Sequence, residues 1–380
     1  MSEGTQSGAI PEPGMRLSSI DGLRGLIIVF MALDHANYFI AHQHSSGEYW
    51  GGPFPAYVDA LSFLTRFVTH FSAPGFFLLM GVGMAFFAAK RRSQGWSPWA
   101  IRFHFLLRGL VLICIQLSVV NYVWRLGPAS FPAIYIGVLI ALGGTMILAG
   151  LSTGLPGWAL ALTSLCLFIG SEFLHPSPEQ WSIISNDLPN LLLVRPGGTG
   201  TLWSNYPILP WHELVVFGLW LGTLLRLDTQ RAFKRMRLLG VVFLLAFAAL
   251  RLLDGFGNIR PRAGDSWIDF LNLVKYPPSM TFTLLTTGVN LLLLSGLAWL
   301  DRRGAGWLRV LQVYGRAPLF VYILHLYLYM VLGRFFTPIG SSLPVMYIFW
   351  LLGLAILYPL AAWYGRWKSR QPASSPAHFF

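Results

Sequence analysis

Long apolar runs separated by short polar segments dominate the chain. A helix needs about 20 mostly apolar residues to cross the roughly 30 Å of hydrocarbon in a bilayer. Ten runs approach or exceed that length, at residues 20–41, 63–89, 103–123, 131–150, 156–174, 208–226, 237–254, 280–300, 313–335 and 344–365. They lack the alternation of apolar and polar residues that marks barrel strands. Because only helices and closed barrels satisfy their backbone in lipid, the pattern predicts an all-α polytopic transmembrane helix bundle of about ten spans.

The loops between these runs differ in positive charge. One alternating set is rich in Lys and Arg, at 90–102, 226–237 and 302–309, and the tail adds Arg366, Lys368 and Arg370. Basic loops stay in the cytoplasm, so both termini are predicted to be cytoplasmic. We expect a disordered cytoplasmic tail at 1–15, a ten-span membrane domain at 16–368 and a second tail at 369–380. The first 15 residues lack the features of a signal peptide, so the first run is expected to remain as a span.

Composition supports a membrane protein and argues against a nucleic-acid partner. Apolar residues make up 55% of the chain and charged residues only 11%, whereas a soluble domain carries about 25% charged residues. So few charges cannot cover a water-exposed surface, and the lipid bilayer is therefore the expected neighbour of most of the chain. The net charge of +12 sits in short loops between apolar runs, where it indicates membrane orientation.

Ionisable side chains occur inside several predicted spans, where they are costly and mark candidate functional sites. They include Asp34, His35, Arg66, His70, His212, Glu213, Arg316 and His325. With a helical rise of about 1.5 Å per residue, His35, His70 and His325 each fall roughly 10–12 Å below the outer edge of the hydrocarbon. Three spans thus bring a histidine to one level, and Asp34 is placed to pair with Arg66 or His70 on the neighbouring helix.

Other interpretations of these residues stay open. A histidine inside a membrane often serves only as an interhelical hydrogen-bonding group. Three histidines and an aspartate are also metal-ligand types, but no HxxxH or HExxH spacing occurs, so no metal is expected. Near the inner edge, Arg24 and Arg316 either extend to lipid phosphates or bind an anion.

Five segments together resemble a known family. They are SIDGLRGLIIVFMALDH at 19–35, FLTRFVTHFSAPGFFLLMGVGMAFF at 63–87, YPILPW at 206–211, LNLVKYPPS at 271–279 and YGRAPLFVYILHLYLY at 314–329. They resemble bacterial transmembrane acyltransferases related to heparan-α-glucosaminide N-acetyltransferase. The first span is also similar to that of the type 3 acyltransferases, in its Arg24, Gly25 and His35.

This resemblance implies an enzyme of a bacterial inner membrane. Such an enzyme transfers an acyl group, usually acetyl, from cytoplasmic acyl-CoA to a glycan or other small-molecule acceptor on the outer face. The family places a catalytic histidine in the outer loop after the first span, where this chain reads AHQHSSGEYWGG and offers His42 and His44. At the position of His35 the heparan enzyme has Asn, so this chain departs from its relative there.

The residues and the resemblance together give one site hypothesis. The catalytic group is predicted to comprise His35, His70, Asp34, Arg66 and His325. A histidine would act as the base, and Arg66 would stabilise the oxyanion or thiolate. Arg24 and Arg316 are predicted to bind the CoA phosphates, and outer loops rich in Trp and Tyr would hold the acceptor. One alternative is a proton-coupled transporter or channel that uses the same histidines and Asp34 as a proton relay. Another is a non-catalytic membrane partner or sensor. The oligomeric state stays open.

Overall fold

The computed structural model describes residues 17–44, 47–128, 132–184, 186–372 and 375. The predicted tail at 1–15 and much of the predicted tail at 369–380 lie outside these residues, so both domain boundaries stay predictions. The described residues form an all-α membrane bundle, as the hydrophobic pattern predicts.

Ten apolar helices correspond in order to the ten predicted runs, and we number them from first to tenth. Within the described ranges, eight are long and apolar enough to cross a membrane: Ser18–Ala41, Ala60–Ser93, Pro98–Arg125, Ile208–Leu227, Thr229–Leu253, Met280–Arg302, Pro318–Phe336 and Leu343–Ser369. The fourth and fifth helices, Val138–Ser152 and Gly157–Glu172, are shorter. A 15-residue helix is only about 22 Å long, so the count of ten full spans stays a prediction.

The ninth predicted run is divided in the structure. The prediction placed one span at 313–335, but Leu308–Gly315 forms a separate short helix and the ninth helix begins at Pro318. Proline is favoured in a first helical turn, where its missing N–H has no partner to lose, and disfavoured further along. Arg316 therefore lies in the break between two helices and not inside a span.

Irregular turns interrupt the helices close to the polar residues. The first helix ends in a π-helical turn at Asn37–Ala41, and the second contains a 3₁₀ turn at Val68–Phe71. The second helix starts at a capping box in which Asp59 and Ser62 each bond the other's backbone, which satisfies N–H groups left free at a helix start. These turns set the directions in which the residues after Asp34 and around His70 point.

The predicted outer loops pack against one another. Strand Leu202–Ser204 pairs antiparallel with Gly197–Gly198 and in parallel with Ile134–Ile136. The prediction placed Ile134–Ile136 inside the fourth span at 131–150, but these residues form a strand and the fourth helix begins at Val138. The Trp50 backbone N–H donates to the carbonyl of Tyr276 at 2.9 Å. Loops of the other alternating set also meet, since Ser18 bonds Asp301 and Arg92 bonds the carbonyl of Thr153. This grouping agrees with the predicted alternation, while the assignment of one face to the cytoplasm stays a prediction.

Glycines let the helices that carry the polar residues touch through their backbones. A Cβ at Gly81 would lie 2.1 Å from the carbonyl oxygen of Val215, and one at Gly25 would lie 1.8 Å from that of Leu311. Small residues of this kind are the usual means by which membrane helices approach closely. The first helix is thereby held against Leu308–Gly315, and the second against the sixth.

Candidate active site

A buried guanidinium organises the first of two polar clusters. Arg66 is 1% exposed; its Nε donates to Oε1 of Glu48 at 2.7 Å, and its Nη2 donates to the other oxygen of the same carboxylate. Its Nη1 donates to Oδ1 of Asp34 at 2.5 Å. Two-point pairing of this kind is among the strongest charge-assisted interactions. Asp34 thus contacts Arg66, one of the two partners expected from the sequence.

Two histidines complete this Arg66 cluster. His70 contacts Glu48, with Nε2 at 2.9 Å from Oε1, and not Asp34. Nε2 of His44 lies 2.8 Å from Nη1 of Arg66. The same nitrogen of His44 lies 3.3 Å from Oδ1 of Asp34. Burial alone would raise the pKa of Glu48, but Arg66 and His70 hold that pKa well below its usual range, so the carboxylate is ionised.

The second cluster is a pair of histidines on the first and ninth helices. Nδ1 of His325 lies 2.8 Å from the carbonyl oxygen of Val321, which can only accept, so Nδ1 carries the proton. Nε2 of the neutral ring is then an acceptor, and Nδ1 of His35 donates to it at 2.6 Å. This leaves Nε2 of His35 with a lone pair and no hydrogen-bond partner among the described residues. The geometry therefore leaves one basic nitrogen available for a ligand.

The five residues predicted as a catalytic group divide between these clusters. Asp34, Arg66 and His70 belong to the first, and His35 and His325 to the second. No hydrogen bond joins His35 to His70 in the described part of the chain. Adjacent residues of a helix point about 100° apart, so Asp34 contacts Arg66 while His35 contacts His325. The two clusters therefore adjoin at the first helix.

Lys275 lies beside both clusters, and the sequence pattern did not single it out. It is 3% exposed, and its backbone N–H donates to the carbonyl of Glu48 at 2.9 Å. Its Nζ lies 5.0 Å from the centre of the Tyr276 ring. Burial, and then repulsion by Arg66, lower the pKa of Lys275 to about 8.

Aromatic side chains of the predicted outer loops form a wall next to the Arg66 cluster. The hydroxyl of Tyr49 and Nε1 of Trp203 both donate to Oδ1 of Asn205, at 2.7 and 2.6 Å. Nδ2 of Asn205 donates to the hydroxyl of Tyr135 at 3.1 Å. Burial raises the pKa of Tyr49 to about 12, so its hydroxyl stays protonated at neutral pH. Rings joined by an amide in this way combine apolar faces with fixed polar groups.

Arginines gather at the N-terminal end of the first helix, which is predicted to be its inner end. Nη1 of Arg24 donates to Oδ1 of Asp21 at 3.1 Å, and Nε of the half-exposed Arg316 lies 3.9 Å from the other oxygen of Asp21. Arg108 of the third helix is close enough for Arg24 to repel it, and its buried Nε has no hydrogen-bond partner among the described residues. Like charges held together in this way suit an anion. Arg108 was not singled out in the sequence, although it lies inside the predicted run at 103–123.

Comparison with known proteins shows the family to which this chain belongs. A family described as heparan-alpha-glucosaminide N-acetyltransferase, catalytic, matches residues 16–253. The chain belongs to this family. Human heparan-alpha-glucosaminide N-acetyltransferase is 26% identical over 189 residues, which make up 43% of this chain and 26% of the human protein. The chain thus matches about a quarter of that relative's length. Membership of a membrane acetyltransferase family agrees with the resemblance found in the sequence.

The part of this chain that matches the N-acetyltransferase family, residues 16–253, includes the Arg66 cluster, His35, Arg24 and Arg108. Lys275, Arg316 and His325 lie beyond it. Glu48 was not singled out in the sequence, although it could have been noticed as the one acidic residue in the loop AHQHSSGEYWGG. Lys275 lies in the segment LNLVKYPPS, which resembles the family, but it appeared only as one positive charge of an outer loop.

Two further residues singled out in the sequence form a separate group. Oε1 of Glu213 accepts from Thr283 at 3.1 Å and Oε2 accepts from Ser171 at 3.3 Å, and His212 precedes it on the sixth helix. Among the residues that the structure describes, no three His, Cys, Asp or Glu side chains are grouped so as to hold a metal ion.

Proposed function

We propose that this protein is a membrane-embedded acyltransferase. It moves an acyl group, acetyl in the first instance, from cytoplasmic acyl-CoA to an amine or hydroxyl of a sugar-like acceptor on the outer face. The observation that carries this proposal is the open Nε2 of His35, held by His325 in a chain whose family is one of acetyltransferases.

His35 is the general base of the proposed reaction. Its Nε2 takes the proton from the attacking amine or hydroxyl as the acceptor bonds to the thioester carbon. His325 is a positioning residue, because its bond to Val321 fixes the tautomer that leaves this nitrogen of His35 free, as an orienting group does in other base-assisted sites. The carboxylate of Asp34 lies close enough to favour the imidazolium that forms.

The Arg66 cluster supports the outer mouth of the site. Arg66 and His70 both hold Glu48, and Glu48 in turn holds the loop that carries Lys275. We assign Arg66 and His70 to positioning and not to proton transfer. The aromatic wall around Asn205 is the proposed acceptor surface, since ring faces and amide groups suit sugars.

The donor is proposed to enter from the inner end. Arg24 and Arg108 would bind the CoA phosphates, with Arg316 at the rim. The helical path from Arg24 to His35 is about 16 Å, which an extended pantetheine arm of roughly 15–20 Å can span. We place the protein in a bacterial inner membrane with both termini in the cytoplasm.

The transporter alternative would use the same histidines as a proton relay, but family membership favours acetyl transfer. Purified protein in sealed vesicles, supplied with radiolabelled acetyl-CoA outside the vesicles and glucosamine inside, separates the two. Molecules inserted with the donor site outward should release CoA thiol and form labelled N-acetylglucosamine inside. Proton flux without acyl transfer would contradict the proposal.

A further inference from the structure

Arg66 is poorly placed for the charge that an acyl transfer develops. Its bonds to Glu48, Asp34 and His44 occupy four of its five N–H groups, and the side chain is 1% exposed. An acyl oxygen could gain more than one hydrogen bond from Arg66 only by displacing a carboxylate or His44. The site therefore needs another cation.

Lys275 is a buried cation whose charge is not used in an ion pair. In the described part of the chain its Nζ makes no hydrogen bond or salt bridge, because Asp34 and Glu48 pair with Arg66 instead. The side chain is only 3% exposed, so little water can replace a protein acceptor at this ammonium, and the arrangement indicates a ligand atom as its partner.

The backbone fixes where this ammonium can reach. The N–H groups of Lys275 and Tyr276 both donate to the carbonyl of Glu48, at 2.9 and 3.0 Å, so the residue that holds Arg66 also holds Lys275. The charge of Lys275 acts on His35, Asp34 and Glu48. The ammonium is thus within electrostatic reach of both the proposed base and the acidic cluster.

We infer that Lys275 is a catalytic residue that stabilises the acyl oxygen during transfer, an inference that rests on the proposed function. The acceptor nitrogen or oxygen bonds to the thioester carbon, and the carbonyl electron pair moves onto oxygen, where the ammonium of Lys275 donates a hydrogen bond. The pair then returns to reform the carbonyl as the C–S bond breaks. The leaving thiolate takes the proton that His35 removed from the acceptor.

This role has a pH dependence of defined sign. Because the pKa of Lys275 is lowered to about 8, its charge is present below that pH and lost above it. The titratable and charged groups that face it are Asp34, His35, Glu48, Arg66, His70 and Tyr276. The transfer rate should therefore fall as pH rises through about 8.

Substitution of Lys275 tests the inference. Lys275→Met should lower kcat for acetyl transfer by roughly 10²–10³-fold, with KM for acetyl-CoA changed less than about threefold because CoA binds elsewhere. Lys275→Arg keeps a charge that does not titrate, so it should restore part of kcat and abolish the fall above pH 8. Lys234→Met, at an exposed lysine near the start of the seventh helix, is the matched control and should behave as wild type.

The outcomes separate this inference from the proposed function. An active wild type with full kcat in Lys275→Met would overturn the role of Lys275 and leave the acyltransferase intact. If Lys275→Met does not fold, a Lys275→Arg variant with the same loss of rate above pH 8 as wild type would overturn it equally. A wild type that transfers no acetyl group from acetyl-CoA would remove both.

Discussion

Replacing Arg66 with Gln is expected to destabilise the protein strongly, because it leaves the carboxylate of Glu48 buried without its main partner. Glu48 is 0% exposed and Arg66 is 1% exposed. Removing one member of such a pair costs about 3–5 kcal/mol. Glu48→Gln keeps the shape and lets Arg66 retain Asp34, so losing one charged hydrogen-bond partner should cost roughly 1.5–3 kcal/mol.

The double variant identifies the pair as the source of these costs. In the double variant, Glu48→Gln has already removed the carboxylate that Arg66→Gln would leave buried without a partner. The double variant should therefore lose less stability than the sum of the losses in the two single variants. We expect a coupling of about 2 kcal/mol, within the range known for contacting residues.

Thermal unfolding in detergent, followed through the 15 tryptophans, measures these differences. With an unfolding entropy of about 2.1 cal/mol/K per residue, a loss of 4 kcal/mol lowers Tm by roughly 5 °C. Helices that persist in detergent reduce that entropy and enlarge the shift. A Tm for Arg66→Gln within 1 °C of wild type, or strictly additive single and double variants, would refute the reasoning.

Three further predictions concern the donor site, the topology and the pH dependence of stability. Arg108→Gln should weaken CoA binding about tenfold, because one charged contact is lost, whereas Arg316→Gln at the half-exposed rim should change the affinity less than threefold. Titration calorimetry measures both affinities, and equal values for the two variants would reject the proposed donor site. In a cysteine-free background, Ser93→Cys should react with an impermeant maleimide only in lysed cells and Thr199→Cys in intact cells; reaction of both from outside would overturn the orientation. The folded-state pKa of Glu48 lies below 4.5, so its ionised form stabilises the fold above that pH, and this stability is lost as the pH falls further. Between pH 6 and pH 3, Tm should therefore fall less in Glu48→Gln than in wild type. Parallel curves of Tm against pH for the two proteins would contradict this prediction.

The helices were predictable and the site only in part, for a physical reason. Apolar runs reveal helices because each helix satisfies its backbone locally. Depth along a helix gives only one coordinate, so a common level for His35, His70 and His325 did not show that His70 points away from the other two. Contacts made by loops have no local signature. Glu48 and Lys275 are far apart in sequence and meet only through a backbone hydrogen bond.

The proposed acceptor surface was suggested by the sequence only through its residue types. Tryptophan and tyrosine in outer loops indicate either a sugar site or an ordinary interface belt, and sequence alone does not separate them. The hydrogen bonds that join Tyr49 and Trp203 to Asn205 arise between loops that the helices bring together. The same holds at the inner end, where only tertiary packing brings Arg108 to Arg24.

The most direct test of the account is the rate of acetyl transfer by His35→Gln. Glutamine keeps a hydrogen-bonding side chain but cannot accept a proton near neutral pH. The matched control is His212→Gln, since His35 and His212 are each 8% exposed and lie in different clusters. With acetyl-CoA and glucosamine, His35→Gln should fold like wild type and lose roughly 10²-fold or more in kcat, while His212→Gln should stay within twofold. Wild-type kcat in His35→Gln would contradict the assignment of the base.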